Sequence, residues 1–166
     1  MESLTSIRTL LAYGDAMNTK LFAAADALAP EQLDQPFDMG MGTLRKTLAH
    51  IFVGESVWLE RWKGNAETKW PPYEIEQSPA TMLAAFSPLH QSRDAFLATL
   101  TRERLNAGQA YRDSKGSVFR ATLHEMILQA IVHSTHHRAQ AVNMMRRAGN
   151  QMVEIDFMYW RRQSVP

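Results

Sequence analysis

Four long amphipathic segments, separated by polar connectors rich in glycine and proline, limit the fold of this chain more than any other feature. In each segment, apolar residues recur every three or four positions, as on one face of an α-helix. We expect these helices at residues 4–28, 44–63, 79–105 and 118–147. With almost no strand signal between them, they predict an all-α four-helix bundle in a single domain over residues 1–166.

Individual residues mark the expected helix ends. Pro30 is expected to end the first helix, because proline lacks the amide proton that a helix interior needs. Thr43, Ser78 and Ser117 are the predicted N-caps of the second, third and fourth helices. Gly149 follows the fourth helix and is a natural residue for the left-handed turn that ends it.

The connectors carry their own predictions. Residues 65–78 include Trp70-Pro71-Pro72-Tyr73 and are expected to form a long crossover loop. Pro88 lies inside the third helical pattern and predicts a kink, or a late start near Phe86. Residues 111–113 are expected to form a short extended piece. The apolar tail at 153–162 is expected to dock on the bundle as a short helix.

Composition excludes several classes of function. The net charge is +1, with no basic stripe, so nucleic-acid binding has no electrostatic support. The absence of cysteine excludes disulfides, cysteine nucleophiles and cysteine-based zinc sites, so that any metal site must use histidine and carboxylate ligands. No signal peptide or membrane-spanning run is evident, and a cytoplasmic protein is the expectation.

Two histidines on the fourth segment predict a metal site. His133 and His137 are four residues apart on its apolar face, whereas His136 lies on a polar row. Burying two unpaired imidazoles costs about 1–3 kcal/mol each, and one divalent metal ion would satisfy both. Ser134 stands where a metalloprotease helix motif requires glutamate, so that motif is absent. The apolar face is formed by Met126, Ala130, His133, His137, Ala141 and Met144.

A third ligand is required, and the helical pattern alone leaves its identity open. His124 lies on the opposite side of the fourth helix from His133 and cannot share its face. Glu55 is on the buried row of the second helix, while His50 lies at the border of that row. His90 in the third segment is also able to point inward, so His50 is only slightly favoured over it.

Several stretches, taken in order, resemble the DinB/YfiT-like family of small metalloenzymes. The resemblance covers nearly the whole chain. It rests on Leu11-Ala12-Tyr13, residues 24–28, Thr47-Leu48-Ala49-His50-Ile51 with Trp58-Leu59, Gly116-Ser117-Val118-Phe119, His133-Ser134-Thr135-His136-His137-Arg138-Ala139-Gln140, and Ile155-Asp156-Phe157 with Tyr159. Ala139 departs from the glycine that the family often has before the glutamine.

The resemblance implies a four-helix bundle of unusual connectivity with a divalent metal, nickel or zinc, on three histidines. Carried over by motif, the ligands are His50, His133 and His137, which decides for His50 over His90. Relatives with known activity are thiol-dependent transferases or isomerases. The expected function is therefore activation of a thiol or water toward a small electrophilic substrate, in a homodimer.

Other residues have two possible roles. His136 and Arg138 are predicted either to flank the site, where they would contact an anionic substrate, or to lie on a solvated helix face. Glu55 either orients a ligand or makes a contact between helices. Tyr13 and Asn18 line the pocket or pack in the core.

An alternative function is a dimeric binding module without catalysis, with or without a structural metal. Its interface anchors would be Trp58, Trp62, Trp70 and Tyr73, because tryptophan and tyrosine favour interfaces. These side chains are equally expected to close the core instead.

Overall fold

Four long helices dominate the computed structural model, which describes residues 2–71, 77–150 and 153–162. The helices are α1 (Glu2–Asp26), α2 (Pro30–Asp34), α3 (Leu44–Trp62), α4 (Pro79–Ala98), α5 (Arg102–Asn106), α6 (Leu123–Arg147) and α7 (Phe157–Arg161). Two strands, β1 (Gly108–Arg112) and β2 (Val118–Thr122), form an antiparallel hairpin between α5 and α6. The predicted four-helix bundle is confirmed, with α1, α3, α4 and α6 as its helices. Within the described ranges, no helix is long and apolar enough to cross a membrane.

The bundle contains two apolar clusters with a polar layer between them. Helix α6 packs on α3 and α1, and α4 closes the other side against both. Along α6, one cluster extends as far as Ile131 and the other begins at Ala141. The interval between them contains His133 and His137, so the functional candidates lie in the polar layer.

The predicted caps at Thr43 and Ser78 are confirmed. The Thr43 hydroxyl accepts from the Lys46 amide, and the Ser78 hydroxyl accepts from the Thr81 amide. Gly149 adopts a φ of 88°, the left-handed conformation predicted after the last long helix. Helix α1 ends before Pro30 as expected, but this proline also begins the short helix α2.

The third helix ends earlier than predicted, and the kink at Pro88 stays a prediction. Helix α4 begins at Pro79 and continues through Pro88, so the late start near Phe86 is wrong. It ends at Ala98 rather than at residue 105. Thr101 then caps the separate helix α5, which the continuous apolar pattern had merged with α4.

The predicted start of the last long helix at Ser117 is wrong. Gly116, with a φ of 89°, makes the turn of the hairpin, and residues 118–122 form β2 instead of the first helical turns. Helix α6 begins after Thr122, whose hydroxyl and Glu125 form a reciprocal capping box. The extended piece expected at residues 111–113 is part of β1 and the turn that follows it.

The C-terminal tail docks on α1, as predicted. The Tyr13 hydroxyl donates to the carbonyl oxygen of Ile155. The rings of Phe157 and Trp160 meet the Tyr13 ring edge-on, with centroids 5.3 and 5.8 Å away. Asp156 caps α7 by accepting from two backbone amides. Tyr13 therefore anchors the tail rather than lining a pocket.

Candidate metal centre

Three histidines from two helices converge in the polar layer. His50 extends from α3, while His133 and His137 are one turn apart on α6. One ring nitrogen of each lies within 4.8 Å of those of the other two, and the Nε2 atoms of His50 and His133 are 3.0 Å apart. The structure thus brings together the three predicted ligands, and His90 and His124 are not among them.

Burial keeps this cluster neutral. Desolvation and the neighbouring rings lower the pKa of His50 to about 4 and that of His133 to about 3. The pKa of His137 is also lowered, mainly by burial. At neutral pH all three rings therefore hold lone pairs rather than positive charges, which is the form that binds a metal ion.

Gln140 fixes the orientation of His137, a role that sequence reasoning missed. Its Oε1 atom can only accept, so the His137 Nδ1 at 2.7 Å must carry the proton and leave Nε2 with the lone pair. The amide nitrogen of Gln140 donates to Nε2 of His136, 3.0 Å away. His136 thus flanks the cluster on the exposed side of α6. The spacing of three residues from His137 was the available signal.

Two further residues shape the cluster, and neither was assigned this role from the sequence. Gly54 on α3 lies against His133, because a Cβ atom there would stand 2.7 Å from Cε1 of that ring. Trp70 stacks on His50, with centroids 4.9 Å apart and planes 19° from parallel. A glycine inside a helix, which costs about 1 kcal/mol relative to alanine, was a usable signal for the first.

The donor set fits a divalent transition metal. Three neutral imidazoles suit zinc, nickel, copper or iron better than magnesium or calcium, which prefer oxygen ligands. Nδ1 of His133 is buried and has no hydrogen-bond partner among the described residues. These three residues are able to hold such an ion, and three ligands leave positions open for water or substrate.

Glu55 and Arg138 make hydrogen bonds to residues other than the three histidines. Glu55 accepts a hydrogen bond of 3.0 Å from Asn18, so its contacts join helices, the second of its two predicted roles. Arg138 is only 2% exposed and donates to Asn18 and Thr135. The alternative of a solvated helix face is wrong for Arg138, whereas a role in flanking the site stays a prediction. Asn18 is buried and hydrogen-bonded within the bundle.

A second cluster contains His90, the residue that the helical pattern had left open. Nε2 of His90 lies 3.2 Å from Asp15 and 3.6 Å from Glu55. Both carboxylates have other partners, since Arg93 donates two hydrogen bonds of 2.7 Å to Asp15 and Asn18 donates to Glu55. This cluster therefore links α1, α3 and α4 through compensated charges.

A cavity of about 830 Å³ leads to His50. It lies between α3, the β-hairpin and the first turns of α6, and we call it the hairpin cavity. Its volume is that of a site for a small molecule. Its wall includes two arginines, two carboxylates and several rings, namely Arg61, Arg120, Asp113, Glu125, His50, Trp58, Trp70 and Tyr111.

The chain is similar to known proteins in both sequence and fold. The model of the DinB family matches residues 1–164. YfiT of Bacillus subtilis (strain 168), described as a candidate metal-dependent hydrolase, is 29% identical over 143 aligned positions, and the match covers 78% of this chain and 79% of YfiT. Protein DinB of the same organism is 21% identical over 153 aligned positions, and the match covers 89% of each chain.

Two solved structures share the fold. A DinB-like protein from Bacillus cereus ATCC 10987 superposes with a TM-score of 0.65 at 22% identity, covering 87% of this chain and 94% of its own. The structure of YfiT, whose four-helix bundle has an unusual topology, superposes with a TM-score of 0.65 at 25% identity and covers 86% and 87%. Both matches support the assignment of the bundle.

Proposed function

The chain belongs to the DinB family, and we propose that it is a metal-dependent enzyme whose nickel or zinc ion is held by His50, His133 and His137. The observation that carries this proposal is the convergence of three neutral imidazoles beside a cavity of substrate size. The candidate hydrolase activity of YfiT supports the same class of reaction. The substrate is a small electrophile, attacked by water or by a low-molecular-weight thiol.

Each part of the site has a defined task in this reaction. An ion of this type polarises a substrate carbonyl, or brings the pKa of a bound water or thiol close to neutrality. Gln140 holds the proton of His137 on Nδ1, so the lone pair of Nε2 is available for a metal ion. Trp70 covers His50 and limits the access of bulk water on that side. The hairpin cavity receives the substrate.

Metal content tests the proposal directly. Protein purified without added metal, then loaded with nickel or zinc and desalted, is expected to retain one equivalent by mass spectrometry. It is also expected to melt at a higher temperature than the chelator-treated form. His50→Ala and His133→Ala should each lose the metal, whereas His124→Ala, a histidine of α6 outside the cluster, should keep it. Wild-type protein that binds no metal would contradict the proposal.

Turnover distinguishes an enzyme from a metal-stabilised binding module. Metal-loaded protein is offered activated esters and alkylating electrophiles, with and without a thiol, and product formation is followed. Activity that His133→Ala abolishes and His124→Ala retains supports the enzyme.

The binding module finds little support in the positions of its expected anchors. Trp58 and Trp62 are buried in the core rather than exposed, and Tyr73 lies outside the described residues.

The homodimer belongs to this proposal as well. Light scattering coupled to size-exclusion chromatography should give twice the mass of the 18.9 kDa chain. A monomer at micromolar concentration would remove the dimer from the proposal and leave the metal site unaffected.

A further inference from the structure

The hairpin cavity contains a buried positive charge that lacks a close counter-ion. Arg61 on α3 is only 3% exposed, and no carboxylate of the described residues lies within 4.0 Å of its guanidinium. One of its terminal nitrogens donates 2.6 Å to the carbonyl oxygen of Arg112. Its Nε atom is buried and has no acceptor among the residues that the structure describes. Asp113 on the same wall acts on this charge only from beyond contact distance. A buried charge without a contacting carboxylate is unfavourable, so an anion entering the cavity would gain from it.

A second guanidinium lies on the same wall. Arg120 in β2 lines the cavity and donates one hydrogen bond of 3.1 Å to the carbonyl oxygen of Gly108. Gly108 makes room for it, because a Cβ atom at that position would stand 2.8 Å from Nε of Arg120. The hairpin thus holds this side chain along the wall, with donors left for a ligand.

Two carboxylates on the cavity wall limit how much negative charge a ligand can carry. Asp113 accepts from the backbone amides of Lys115 and Ser117 in the hairpin turn, and Glu125 accepts from the amide of Thr122. Together with the two arginines, these groups leave the wall with no net charge. A single carboxylate therefore suits the cavity better than a dianionic phosphate.

Aromatic rings supply the remaining recognition surface. The Arg61 guanidinium carbon lies 4.8 Å from the ring centroid of Trp58 and 5.5 Å from that of Tyr111. Trp70 adds a third ring, at the end of the cavity where it stacks on His50. Flat apolar surfaces of this kind accept a planar ligand body.

We propose that the hairpin cavity selects a small monocarboxylate with a planar apolar body, its carboxylate on Arg61 and Arg120 and its body against the aromatic rings. As the choice of substrate this rests on the proposed function, since the reacting group must reach the three histidines. Binding of the carboxylate itself requires only the cavity.

Binding of three matched probes tests the inference in chelator-treated protein, where no metal competes for the anion. Phenylacetate, phenylacetamide and phenyl phosphate are titrated against tryptophan fluorescence, to which Trp58 and Trp70 on the wall contribute. Phenylacetate is expected to bind at least about tenfold more tightly than its amide, a typical effect of one charge-assisted hydrogen bond. Equal binding of acid and amide, or tighter binding of the phosphate, would overturn the inference.

Two variants assign the effect to the arginines. Arg61→Gln should reduce the preference for the acid to about twofold or less. Because Arg61 is buried and its loss can unfold the chain, the exposed Arg120→Gln provides a second test and should weaken phenylacetate without weakening the amide. Arg104→Gln, an arginine of α5 outside the cavity, serves as the control. A preference that both cavity variants retain would refute the assignment.

These results are independent of the metal. Protein that binds no metal but prefers phenylacetate would refute the proposed function and retain the cavity as an anion site. Protein that binds one metal ion but does not prefer phenylacetate would refute the anion site and leave the proposed function in place.

Discussion

At the scale of single residues, the candidate centre depends on side chains that hold the histidines in place. Three imidazoles form a metal site only when their lone pairs face one point, and each ring has a different support. His50 stacks on Trp70, His137 donates to Gln140, and His133 occupies the space that Gly54 leaves free. Changes at the supporting residues should therefore alter metal affinity without removing a ligand.

Replacing Gln140 tests the support of His137. Gln140→Leu removes the acceptor that fixes the proton on Nδ1, so the ring is free to rotate and to change tautomer. We expect metal affinity to fall by roughly 10- to 100-fold while the fold is retained. Competition with a chromogenic chelator measures this affinity. Gln91→Leu, an exposed glutamine of α4, should bind metal as the wild type does. Unchanged affinity in Gln140→Leu would show that His137 needs no such support.

Gly54→Ala tests the space beside His133. The added methyl group would stand 2.7 Å from the ring and must displace it, since α3 and α6 are tightly packed there. Metal affinity should fall on the order of tenfold or more. Overpacking costs about 1–3 kcal/mol, partly offset by the better helix propensity of alanine. Gly14→Ala, a helical glycine whose Cβ would meet only ordinary contacts from 3.4 Å, is the matched control. If both variants bind metal equally, the close approach has no functional role.

Helical phase predicted part of this arrangement and could not supply the rest. His133 and His137 were assigned to the apolar face because both lie on the same helix, where spacing determines direction. The choice between His50 and His90 depends on how α3 and α4 are rotated against α6, which no local pattern encodes. The family resemblance favoured His50, and the packing places it beside the pair. His90 meets Asp15 and Glu55 instead.

At the scale of elements, the β-hairpin is what sequence reasoning failed to predict. Val118 and Phe119 fit the apolar spacing of a helix as well as that of a strand, so the pattern predicts the first turn of the last helix there. The capping box at Thr122 was the stronger signal of where α6 begins. This error mattered for function, because the hairpin forms one wall of the cavity beside His50.

The ion pair between α4 and α1 carries a stability prediction. Arg93 is 6% exposed and donates two hydrogen bonds to Asp15, so Arg93→Met should cost about 2–3 kcal/mol in the free energy of unfolding. Urea denaturation of the metal-free protein measures it. Arg45→Met breaks another two-bond pair, with Asp34, whose side chain is 52% exposed, and should cost less than about 1 kcal/mol. Similar losses in both variants would show that burial does not strengthen the inner pair.

At the scale of the whole molecule, the bundle resembles two apolar cores separated by a polar layer. On one side of the layer, buried Asn18 accepts from buried Arg138 and donates to the partly buried Glu55. The three histidines lie on the other side. Without a metal, their burial is a cost to the fold that depends on pH, because burial opposes protonation.

Metal-free protein should therefore lose stability as the pH falls below about 6.5, the ordinary pKa of histidine. The pKa values of His50 and His133 are lowered to about 4 and about 3, so the unfolded chain takes up protons in this range that the folded chain does not. The contribution of these two histidines to the free energy of unfolding is then constant above their unfolded pKa. Below that pKa it decreases, by up to about 1.4 kcal/mol per pH unit for each histidine.

The useful window is about pH 6.5 to 5, since below it the carboxylates also begin to titrate. Urea denaturation at half-unit steps gives the slope of the unfolding free energy against pH. His133→Gln, which cannot titrate, should show a distinctly shallower slope than the wild type. If wild type and His133→Gln have the same slope, the folded chain protonates His133 as readily as the unfolded chain does, and the ring is not held neutral for a metal.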